Sequence, residues 1–431
     1  MRYYDFIIGV IGLGYVGLPL AIEFSKKFQT VAVDINSNKI SKIKIGIDPI
    51  GQLTGDDFKS AGSITYSDAF DKIQNCDVII IAVPTPVDNN KIPDFSALLN
   101  ASTLVGNHMK KGAIVVYEST VAPGTTENMC VPALEAASGY TWKIDFNVGY
   151  SPERVSPGDG NKTIKNIVKV ISGDTEKTAK IIKEVYDEII TAGTFEASSI
   201  KVAEASKIIE NIQRDVNIAL INELAIVLDK LNIKTKDVLD AANTKWNFLP
   251  FVPGLVGGHC IVVDPYYFIE KSVEIGIDVS LIKRARERNE SMPAIVAEKV
   301  IQFGQSKGLM NENFNVIILG VTFKENCADI RNSKSIDLIQ LLTEKGVNVT
   351  ANDPLLEMSK DQNCPEISLT AWNEIANQNH LVLVSVPHQE YLDIGVEKIC
   401  ELLHEEGALF DVKSAFDENK VKAMNVKYLC L

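Results

Sequence analysis

The stretch Val10-Ile-Gly-Leu-Gly-Tyr-Val-Gly17 constrains the fold of this 431-residue chain more than any other feature. An apolar run, Phe6–Ile11, precedes the glycines, and a helical pattern, Leu18–Lys26, follows them. Glycines at this spacing allow a tight turn, close approach of the backbone to a pyrophosphate, and close packing of a helix on a strand. The chain is therefore predicted to open with a dinucleotide-binding unit, whose cofactor contacts are expected at Gly12, Leu13, Gly14, Tyr15, Val16 and Gly17.

Three further side chains extend this predicted cofactor site. Asp34 ends the second apolar run, Thr30–Val33, twenty residues after Gly14. A carboxylate there accepts hydrogen bonds from an adenosine ribose and repels a 2′-phosphate, which predicts NAD rather than NADP. Thr85 and Thr120 follow later strand-like runs, where the ribose of the nicotinamide is expected to pass.

The distribution of apolar runs predicts an α/β fold. Runs at Val78–Val83, Ala113–Tyr117 and Asn147–Tyr150 are separated by helix-length intervals, which indicates a parallel, doubly wound sheet. A second, shorter α/β unit is predicted from about Asn311, with strand-like runs at Asn315–Leu319, Val347–Asn352, His380–Val386 and Ala408–Val412 and a helix at Ser333–Lys345.

Between these two units the chain is helical. Residues from Ser198 to Leu231 contain neither glycine nor proline and keep apolar residues at helical spacing. Such a helix would be ~50 Å long. It is apolar on more than one side, which is typical of a helix shared between domains or buried in a subunit interface. The predicted fold is two Rossmann-like doubly wound domains joined by a long central helix.

Composition excludes several classes of function. The net charge is −13, and a nucleic-acid partner is not expected because no basic patch is evident. The five histidines and the cysteines show no metal-ligand spacing. The seven cysteines are odd in number and widely separated, which predicts a reducing compartment. With neither a secretory signal nor an apolar run of membrane length, a cytoplasmic enzyme is expected.

A cysteine in a glycine-containing loop suggests chemistry beyond simple hydride transfer. Cys260 follows Gly257 and Gly258, and Asp264 lies four residues later. An enzyme that oxidises an alcohol past the aldehyde to the acid can hold the aldehyde as a covalent thiol adduct. The alternative is a buried cysteine that acts as a small apolar residue.

A polar stripe on the long helix also has two interpretations. Glu204, Lys207, Asn211 and Arg214 recur every three or four residues, so their side chains share one face. This face is either exposed to solvent or forms the wall of a site.

Several motifs together resemble one enzyme family. In order along the chain they are Gly-Leu-Gly-Tyr-Val-Gly-Leu-Pro, Pro-Thr-Pro, Glu-Ser-Thr-Val, Ser-Pro-Glu-Arg, Lys-x-x-x-Asn, Gly-Gly-His-Cys and Phe-Lys-x-x-x-x-Asp-Ile-Arg. They resemble the UDP-glucose/GDP-mannose dehydrogenase family over essentially the whole chain. The segments Ile200–Leu220 and Lys245–Phe251, together with His259, resemble its UDP-N-acetylhexosamine 6-dehydrogenases, in particular the UDP-N-acetylglucosamine enzymes of Vi-antigen-type polysaccharide synthesis.

The resemblance implies a four-electron oxidation that uses two NAD per sugar. Cys260 would attack the aldehyde formed at C6, and hydrolysis of the resulting thioester would release a uronic acid. Lys207 and Asn211 would stabilise the oxyanion of the adduct, while Asp264 would handle protons near the thiol. Glu153 and Thr120 would order the hydrolytic water. Whether Lys207 or Asp264 is the base in each step stays open.

The resemblance also implies contacts with both ligands. Lys39 and Arg331 are expected to contact the cofactor, with Lys39 standing where an arginine near the adenosine is common. Substrate contacts are expected at Glu153, Arg154, Lys207, Asn211, Arg214, Phe251, Gly254, Gly257, Phe323 and Lys324. The implied domains are an NAD-binding domain (1–197), a central helical and dimerisation domain with the cysteine loop (198–305), and a UDP-sugar-binding domain (306–431).

The leading interpretation is a UDP-N-acetylglucosamine 6-dehydrogenase that forms at least a homodimer. UDP-N-acetylgalactosamine is the second candidate substrate because it differs only at C4, and UDP-glucose is a further alternative. A two-electron hydroxyacid dehydrogenase would share the glycine motif and a helix lysine but would not need Cys260. A non-catalytic NAD-responsive protein would be expected to have lost Lys207, Asn211, Cys260 or Asp264, and all four are present.

Overall fold

A computed structural model gives the structure of residues 5–88, 90–155, 163–309, 314–357 and 369–431. The chain forms two compact units. The first unit holds the described residues up to Glu210 together with Tyr266–Ile277. The second unit holds Asn211–Pro265 and the described residues from Asp278 onward. The three-part division at 197/198 and 305/306 stays a prediction.

An eight-stranded sheet with helices on both faces forms the first unit. Strands β1–β8 are Ile7–Ile11, Gln29–Val33, Ile64–Ser67, Val78–Ile81, Ile114–Tyr117, Asn147–Tyr150, Lys169–Gly173 and Thr194–Glu196. Helices α1–α6 are Gly17–Ser25, Ser37–Lys44, Gly55–Lys59, Ser96–His108, Val131–Ser138 and Glu176–Asp187. The strand order is β3-β2-β1-β4-β5-β6-β7-β8, and the strand pairs are parallel except for β6 and β7.

This strand order confirms the predicted doubly wound sheet. The chain builds outward from β1 to β3 on one side and from β4 onward on the other, so the topology reverses between β1 and β4. Apolar side chains are buried on both faces of the sheet, as expected for covered parallel strands. The predicted strands were the central ones. The outer strands β3, β7 and β8 were missed because they carry polar or charged residues such as Lys169 and Glu196.

Helices connect the two sheets along the sequence. Helices α7–α10 are Ile200–Lys230, Thr235–Ala242, Asp264–Glu274 and Ser280–Ser306. The predicted long helix is confirmed as α7, whose 31 residues give a length of ~46 Å at the usual helical rise. None of the helices in the described ranges combines the length and apolar character needed to cross a membrane.

A five-stranded parallel sheet forms the centre of the second unit. Strands β9–β13 are Asn315–Leu319, Asn348–Asn352, Asn379–Val384, Leu403–Asp411 and Lys427–Cys430, and helices α11–α15 are Lys334–Glu344, Pro354–Glu357, Gln389–Ile394, Val396–Cys400 and Glu418–Ala423. The strand order is β10-β9-β11-β12-β13, a second doubly wound sheet. The predicted second α/β unit is thus confirmed, although β13 was missed and Asn311, the predicted start, lies outside the described residues.

The two sheets share a backbone device at the end of their first strands. Gly12 follows β1 with a φ of 88°, and its N–H donates to the carbonyl of Val33 at 2.8 Å. Gly320 follows β9 with a φ of 85°, and its N–H donates to the carbonyl of Asn352 at 2.9 Å. In both sheets a left-handed glycine therefore turns the chain at the carboxyl end of the first strand.

We expect Gly320→Ala to destabilise the protein more than Gly346→Ala. Both glycines have a positive φ, which costs a substituted residue about 1–3 kcal/mol. A Cβ at Gly320 would also lie 2.3 Å from the carbonyl oxygen of Val386, whereas a Cβ at Gly346 would meet nothing within 4 Å. Thermal unfolding of the two variants checks this, and equal losses in midpoint would contradict it.

Candidate active site

The glycine-rich turn of the first unit has the geometry that a dinucleotide needs. A Cβ at Gly17 would lie 1.8 Å from the carbonyl oxygen of Gly12, so helix α1 packs directly on the turn. A Cβ at Gly14 would meet nothing within 4 Å, which leaves space where a pyrophosphate would approach. Tyr15 and Val16 lie in the same turn and are partly exposed. These residues fit the predicted NAD.

Asp34 connects this turn to the end of β2. Its carboxylate is buried and accepts hydrogen bonds from the N–H of Leu13 at 2.9 Å and of Asn36 at 2.9 Å. Lys39 forms an ion pair with the same carboxylate at 2.7 Å. The structure therefore brings together two predicted cofactor residues, Asp34 and Lys39, as partners of each other at the edge of the turn.

The loops after β4 and β5 are tied together beside the turn. The hydroxyl of Thr85 donates to the carbonyl of Thr120 at 2.7 Å, and the hydroxyl of Ser119 donates to the carbonyl of Val83 at 2.6 Å. Tyr267 donates from its hydroxyl to the carbonyl of Thr85. The predicted residues Thr85 and Thr120 are thus adjacent, at the edge of the sheet where ligands bind in such folds.

Glu153 belongs to a buried cluster of charged groups that the sequence did not reveal. The ammonium of Lys169 lies 2.7 Å from a carboxylate oxygen of Glu118 and 3.3 Å from one of Glu153. Tyr186 donates from its hydroxyl to the other oxygen of Glu118. Burial raises the pKa of Glu118 despite the attraction of Lys169. Lys169 and Glu118 were missed because their proximity depends on three separate strands.

Two residues predicted to contact the substrate also act within the first unit. Arg154 forms an ion pair with Glu210 at 2.8 Å and donates to the carbonyl of Val168 at 2.9 Å. Lys207 lies on α7, partly exposed, and its charge helps to lower the pKa of Glu153. The neighbouring helix residue Glu204 is buried and accepts hydrogen bonds from the N–H groups of Gly124 and Thr126. Glu204 is therefore not part of a solvent-exposed face.

The cysteine loop lies in the second unit, immediately before α9. Cys260 is partly buried, and its carbonyl accepts a hydrogen bond from the N–H of Asp264 at 2.8 Å. The preceding glycines pack against the protein itself: a Cβ at Gly258 would lie 2.7 Å from the ring of Phe323, and one at Gly257 would lie 2.7 Å from the carbonyl oxygen of Asn332. Both positions therefore exclude larger residues. The start of a helix favours negative charge, which suits a reacting thiolate.

Asn211 and Asp264 are brought together next to this loop. The amide of Asn211 donates to a carboxylate oxygen of Asp264 at 2.5 Å, and both side chains are buried. Asp264 begins α9, one turn after Cys260. Three of the predicted catalytic residues, Cys260, Asn211 and Asp264, therefore lie within one part of the second unit. Arg214, on the same helix, is exposed.

The loop predicted to lie along the sugar diphosphate is held by a buried asparagine. Asn222 on α7 accepts from the N–H of Gly254 at 2.8 Å and donates to its carbonyl at 3.1 Å. Asn222 also donates to the side-chain oxygen of the fully buried Asn289 at 2.9 Å. Phe251, three residues earlier, is partly exposed. Asn222 was missed, although an asparagine on an apolar helix is a signal for a specific buried partner.

The loop after β9 holds the remaining predicted residues. Phe323 lies against the ring of His259, with ring centroids 5.9 Å apart, and the ammonium of Lys324 lies 5.7 Å from the centroid of the Phe323 ring. Arg331 forms an ion pair with the buried Asp329 at 2.6 Å. Arg331 therefore lies in the second unit, whereas the glycine-rich turn lies in the first.

A buried aspartate and histidine, both missed from the sequence, support this loop. Asp353 accepts from the N–H groups of Val321 at 2.8 Å and Thr322 at 3.1 Å, and it lies 3.1 Å from the ring nitrogen Nε2 of His388. The other ring nitrogen, Nδ1, accepts from the N–H of Asn326 at 3.0 Å. Burial alone would raise the pKa of Asp353, but these hydrogen bonds hold it below its usual range.

The described residues were also compared with the requirements of a disulfide and of a metal site. The six cysteines in the described ranges form no disulfide, and the seventh, Cys364, lies outside these ranges. Within the same ranges, no group of three or more His, Cys, Asp or Glu side chains is arranged to hold a metal ion.

We expect Asp34→Asn to shift the cofactor preference from NAD towards NADP. The substitution removes the negative charge that would repel a 2′-phosphate and frees Lys39 to attract it. A hydrogen bond to a charged group contributes about 1.5–3 kcal/mol, so the ratio of kcat/KM for NAD to that for NADP should fall at least about tenfold. Asp68→Asn is the matched control, because Asp68 is exposed and accepts from Ser37. An unchanged ratio in Asp34→Asn would contradict the role of Asp34.

Comparison with known proteins agrees with this arrangement over the whole chain. Three family models match in succession: the NAD binding domain of the UDP-glucose/GDP-mannose dehydrogenase family at residues 6–190, its central domain at 201–291 and its UDP binding domain at 317–418. The glycine-rich turn lies in the first matched range, Cys260 in the second, and Phe323 with Lys324 in the third.

Similar proteins match at nearly full length. A Pseudomonas aeruginosa protein named UDP-N-acetyl-D-glucosamine 6-dehydrogenase is 45% identical over 96% of this chain and 98% of its own. Protein CapL of Staphylococcus aureus is 46% identical over 96% of this chain and 97% of its own. The solved structure of a UDP-D-ManNAc dehydrogenase from Pyrococcus horikoshii superimposes with a TM-score of 0.88 at 29% identity, covering 98% of each chain. The chain is therefore a member of the UDP-glucose/GDP-mannose dehydrogenase family, with its NAD-binding, central and UDP-binding domains in that order.

Proposed function

We propose that this enzyme oxidises the C6 hydroxyl of a UDP-N-acetylhexosamine to the carboxylic acid, with UDP-N-acetylglucosamine as the first-choice substrate. The observation that carries this proposal is Cys260, placed before α9 with the hydrogen-bonded pair Asn211 and Asp264 beside its loop. A thiol at this position is explained by an oxidation that passes through the aldehyde to the acid. The relatives named above support the nucleotide sugar as the substrate.

In the proposed mechanism, Cys260 holds the intermediate oxidation states of the sugar. Its thiolate attacks the C6 aldehyde and forms a thiohemiacetal, whose oxidation leaves a thioester on the sulfur. The turn formed by Gly12, Gly14 and Gly17 would hold NAD, which would supply the hydride acceptor for both oxidations. The proton of the C6 hydroxyl passes to Lys207 or to Asp264, and either can serve as the base.

Charge that develops on the sugar oxygen requires nearby hydrogen-bond donors. Asn211 has two amide N–H donors, and Asp264 accepts from this amide at 2.5 Å, which fixes its orientation. In the proposal, the other N–H of Asn211 and the ammonium of Lys207 stabilise the oxyanion of the adduct. Electrostatic stabilisation of this kind usually contributes most to catalysis.

Hydrolysis of the thioester completes the proposed reaction. Glu153 and Thr120 orient a water molecule, and Glu153 accepts a proton from it. The ammonium nitrogen of Lys169 lies 3.3 Å from a carboxylate oxygen of Glu153 and forms an ion pair with it. Arg154, Arg214, Phe251, Gly254, Gly257, Phe323, Lys324 and Arg331 are proposed to hold the ligands.

A substrate comparison together with Cys260→Ser tests this function. We expect the wild type to release two NADH per sugar with an N-acetylated substrate, and Cys260→Ser to lose net formation of the acid because it cannot form the thioester. UDP-N-acetylglucosamine, UDP-N-acetylgalactosamine, UDP-N-acetylmannosamine and UDP-glucose are offered separately, and kcat/KM identifies the preferred sugar. Cys400→Ser is the matched control, since Cys400 is a buried cysteine on α14.

A ratio of one NADH per sugar instead of two would identify a different enzyme class. One NADH per sugar, with Cys260→Ser as active as the wild type, would contradict the covalent mechanism and favour a two-electron dehydrogenase. A preference for UDP-glucose, UDP-N-acetylgalactosamine or UDP-N-acetylmannosamine would preserve the mechanism and correct the substrate.

We also propose that the enzyme is a homodimer or a higher homo-oligomer. Leu220, Leu224 and Val227 on α7, and Leu231 immediately after it, are each between 44% and 60% exposed. Their spacing of four, three and four residues places them in one stripe, which is the pattern of a helix that packs on another helix. The stripe lies near the centre of the sequence, in a range matched by the central domain of the family.

We expect Leu220→Glu combined with Leu224→Glu to shift the protein to monomers. Buried glutamates at a helix–helix contact are costly, whereas in a monomer the same residues are exposed to water. Sedimentation velocity measures the change, and Asp229→Asn on another side of α7 is the control. If the wild type already sediments as a monomer, the dimer is wrong.

The biological setting follows from the proposed chemistry. A thiol nucleophile requires a compartment that keeps cysteines reduced, which supports a cytoplasmic location. The relative named CapL supports a role in making a surface polysaccharide. Neither a nucleic acid nor a membrane is required by the proposed reaction.

A further inference from the structure

The antiparallel strand β7 places a buried lysine at the edge of the first sheet. Tyr150 of β6 pairs with Ser172 of β7, and this register, continued outward, sets Lys169 opposite Glu153. Because β7 runs against its neighbour, its first residue lies where β5 and β6 end. Lys169 is only 4% exposed, which is unusual for a lysine unless it is paired.

Lys169 serves two carboxylates that come from different loops. Its ammonium lies 2.7 Å from the Glu118 carboxylate, after β5, and 3.3 Å from the Glu153 carboxylate, after β6. Tyr186 donates a hydrogen bond to the other oxygen of Glu118, and the Lys169 ammonium lies 5.6 Å from the centroid of the Tyr186 ring. Glu118 and Tyr186 thus hold Lys169 in the position from which it reaches Glu153.

The Glu153 carboxylate is fixed at both oxygens. Oε1 accepts from the N–H of Arg154 at 2.7 Å and of Val155 at 2.5 Å, and Oε2 faces Lys169. Burial alone would raise the pKa of Glu153, but Lys169, the two N–H groups and the charge of Lys207 hold it below its usual range. The side chain of Arg154 is paired with Glu210.

We propose that Lys169 is a positioning residue that keeps Glu153 ionised and correctly oriented to accept a proton from the hydrolytic water. This inference rests on the proposed function. In the step concerned, the water oxygen bonds to the acyl carbon of the thioester and the carbon–sulfur bond breaks. The electron pair goes to the Cys260 sulfur, and the water proton goes to the Glu153 carboxylate. The step needs no oxidant or reductant.

A purely structural role explains this cluster less well than a role in positioning Glu153. Replacing a buried ion pair by apolar residues of similar size is often neutral or stabilising, so stability alone gives little reason for it. Here two carboxylates share one lysine at the sheet edge where ligands bind. A carboxylate must be ionised before it can accept a proton, and the Lys169 ammonium favours the ionised form of the Glu153 carboxylate.

The test compares Lys169→Met and Lys169→Arg in the full-length enzyme, with Lys183→Met as control. Lys183 is partly exposed and pairs with Asp187 on α6. Without the ammonium, the pKa of Glu153 rises, so the acidic limb of the kcat–pH profile should move to higher pH. For Lys169→Met we expect the acidic limb to shift by about one pH unit, which lowers kcat about tenfold at pH values below the limb. The kcat of Lys169→Arg should stay within a few-fold of the wild-type value.

Mass spectrometry of acid-quenched enzyme identifies the step that slows. If hydrolysis is slowed, Lys169→Met should accumulate the acyl adduct on Cys260 at low pH, while the wild type and Lys183→Met should not. An unchanged acidic limb and no adduct in Lys169→Met would overturn the inference, as would Lys169→Arg being as impaired as Lys169→Met.

Glu118→Gln provides a test of opposite sign. In this variant Glu153 is the one charged carboxylate that remains paired with Lys169. The acidic limb of the kcat–pH profile should therefore stay in place or move to lower pH. A move to higher pH, as in Lys169→Met, would indicate general disruption and overturn the inference. If Lys169→Met does not fold, the double variant Lys169→Met/Glu118→Gln is used, because it removes one charge of each sign. The acidic limb of its kcat–pH profile should still lie at higher pH than that of the wild type.

The stoichiometry of the wild type separates the two proposals. Two NADH per sugar with an unaffected Lys169→Met would contradict this inference alone. One NADH per sugar, without an adduct on Cys260 in any variant, would contradict the proposed function and this inference with it.

Discussion

A carboxylate that binds the backbone of a neighbouring turn organises both sheets of this protein. In the first unit, Asp34 at the end of β2 accepts from the N–H of Leu13. In the second unit, Asp353 after β10 accepts from the N–H groups of Val321 and Thr322. Each aspartate is buried and fixes the loop that follows the first strand of its sheet, at the point where the topology reverses. The loops that the proposed ligands require therefore depend on these two hydrogen-bonded acids.

The two aspartates have different side-chain partners: Asp34 pairs with a lysine and Asp353 with a histidine. Asp34 pairs with Lys39, whose side chain is partly exposed, so its charge remains available to a ligand. Asp353 lies against the fully buried ring of His388, whose second nitrogen accepts from the backbone of Asn326. We propose that the first acid contacts the cofactor directly, whereas the second supports the loop that carries Phe323 and Lys324.

The single antiparallel strand pair also has a chemical consequence. In a fully parallel sheet, the first residue of β7 would lie at the amino edge, away from the loops after β5 and β6. The reversal instead brings Lys169 to the carboxyl edge, where it meets Glu118 and Glu153. The cost of burying a lysine is offset by two carboxylates, those of Glu118 and Glu153. A change in strand direction thus supplies a cation to an acid that the proposed hydrolysis uses.

The sequence by itself determined the two doubly wound sheets, the long helix α7 and the glycine-rich turn. These features are encoded locally, by apolar periodicity and by glycines at positions where a side chain has no room, such as Gly12 and Gly17. The motif resemblance also located Cys260, Asn211 and Asp264 before their proximity was visible. Only the tertiary structure decided which polar groups share a partner: Lys169 with Glu118 and Glu153, Asn222 with Gly254, and His388 with Asp353. Such pairs join residues 16 to 51 positions apart, and nothing in the local pattern specifies them, because burial of a polar side chain depends on strand order and register rather than on its neighbours in sequence.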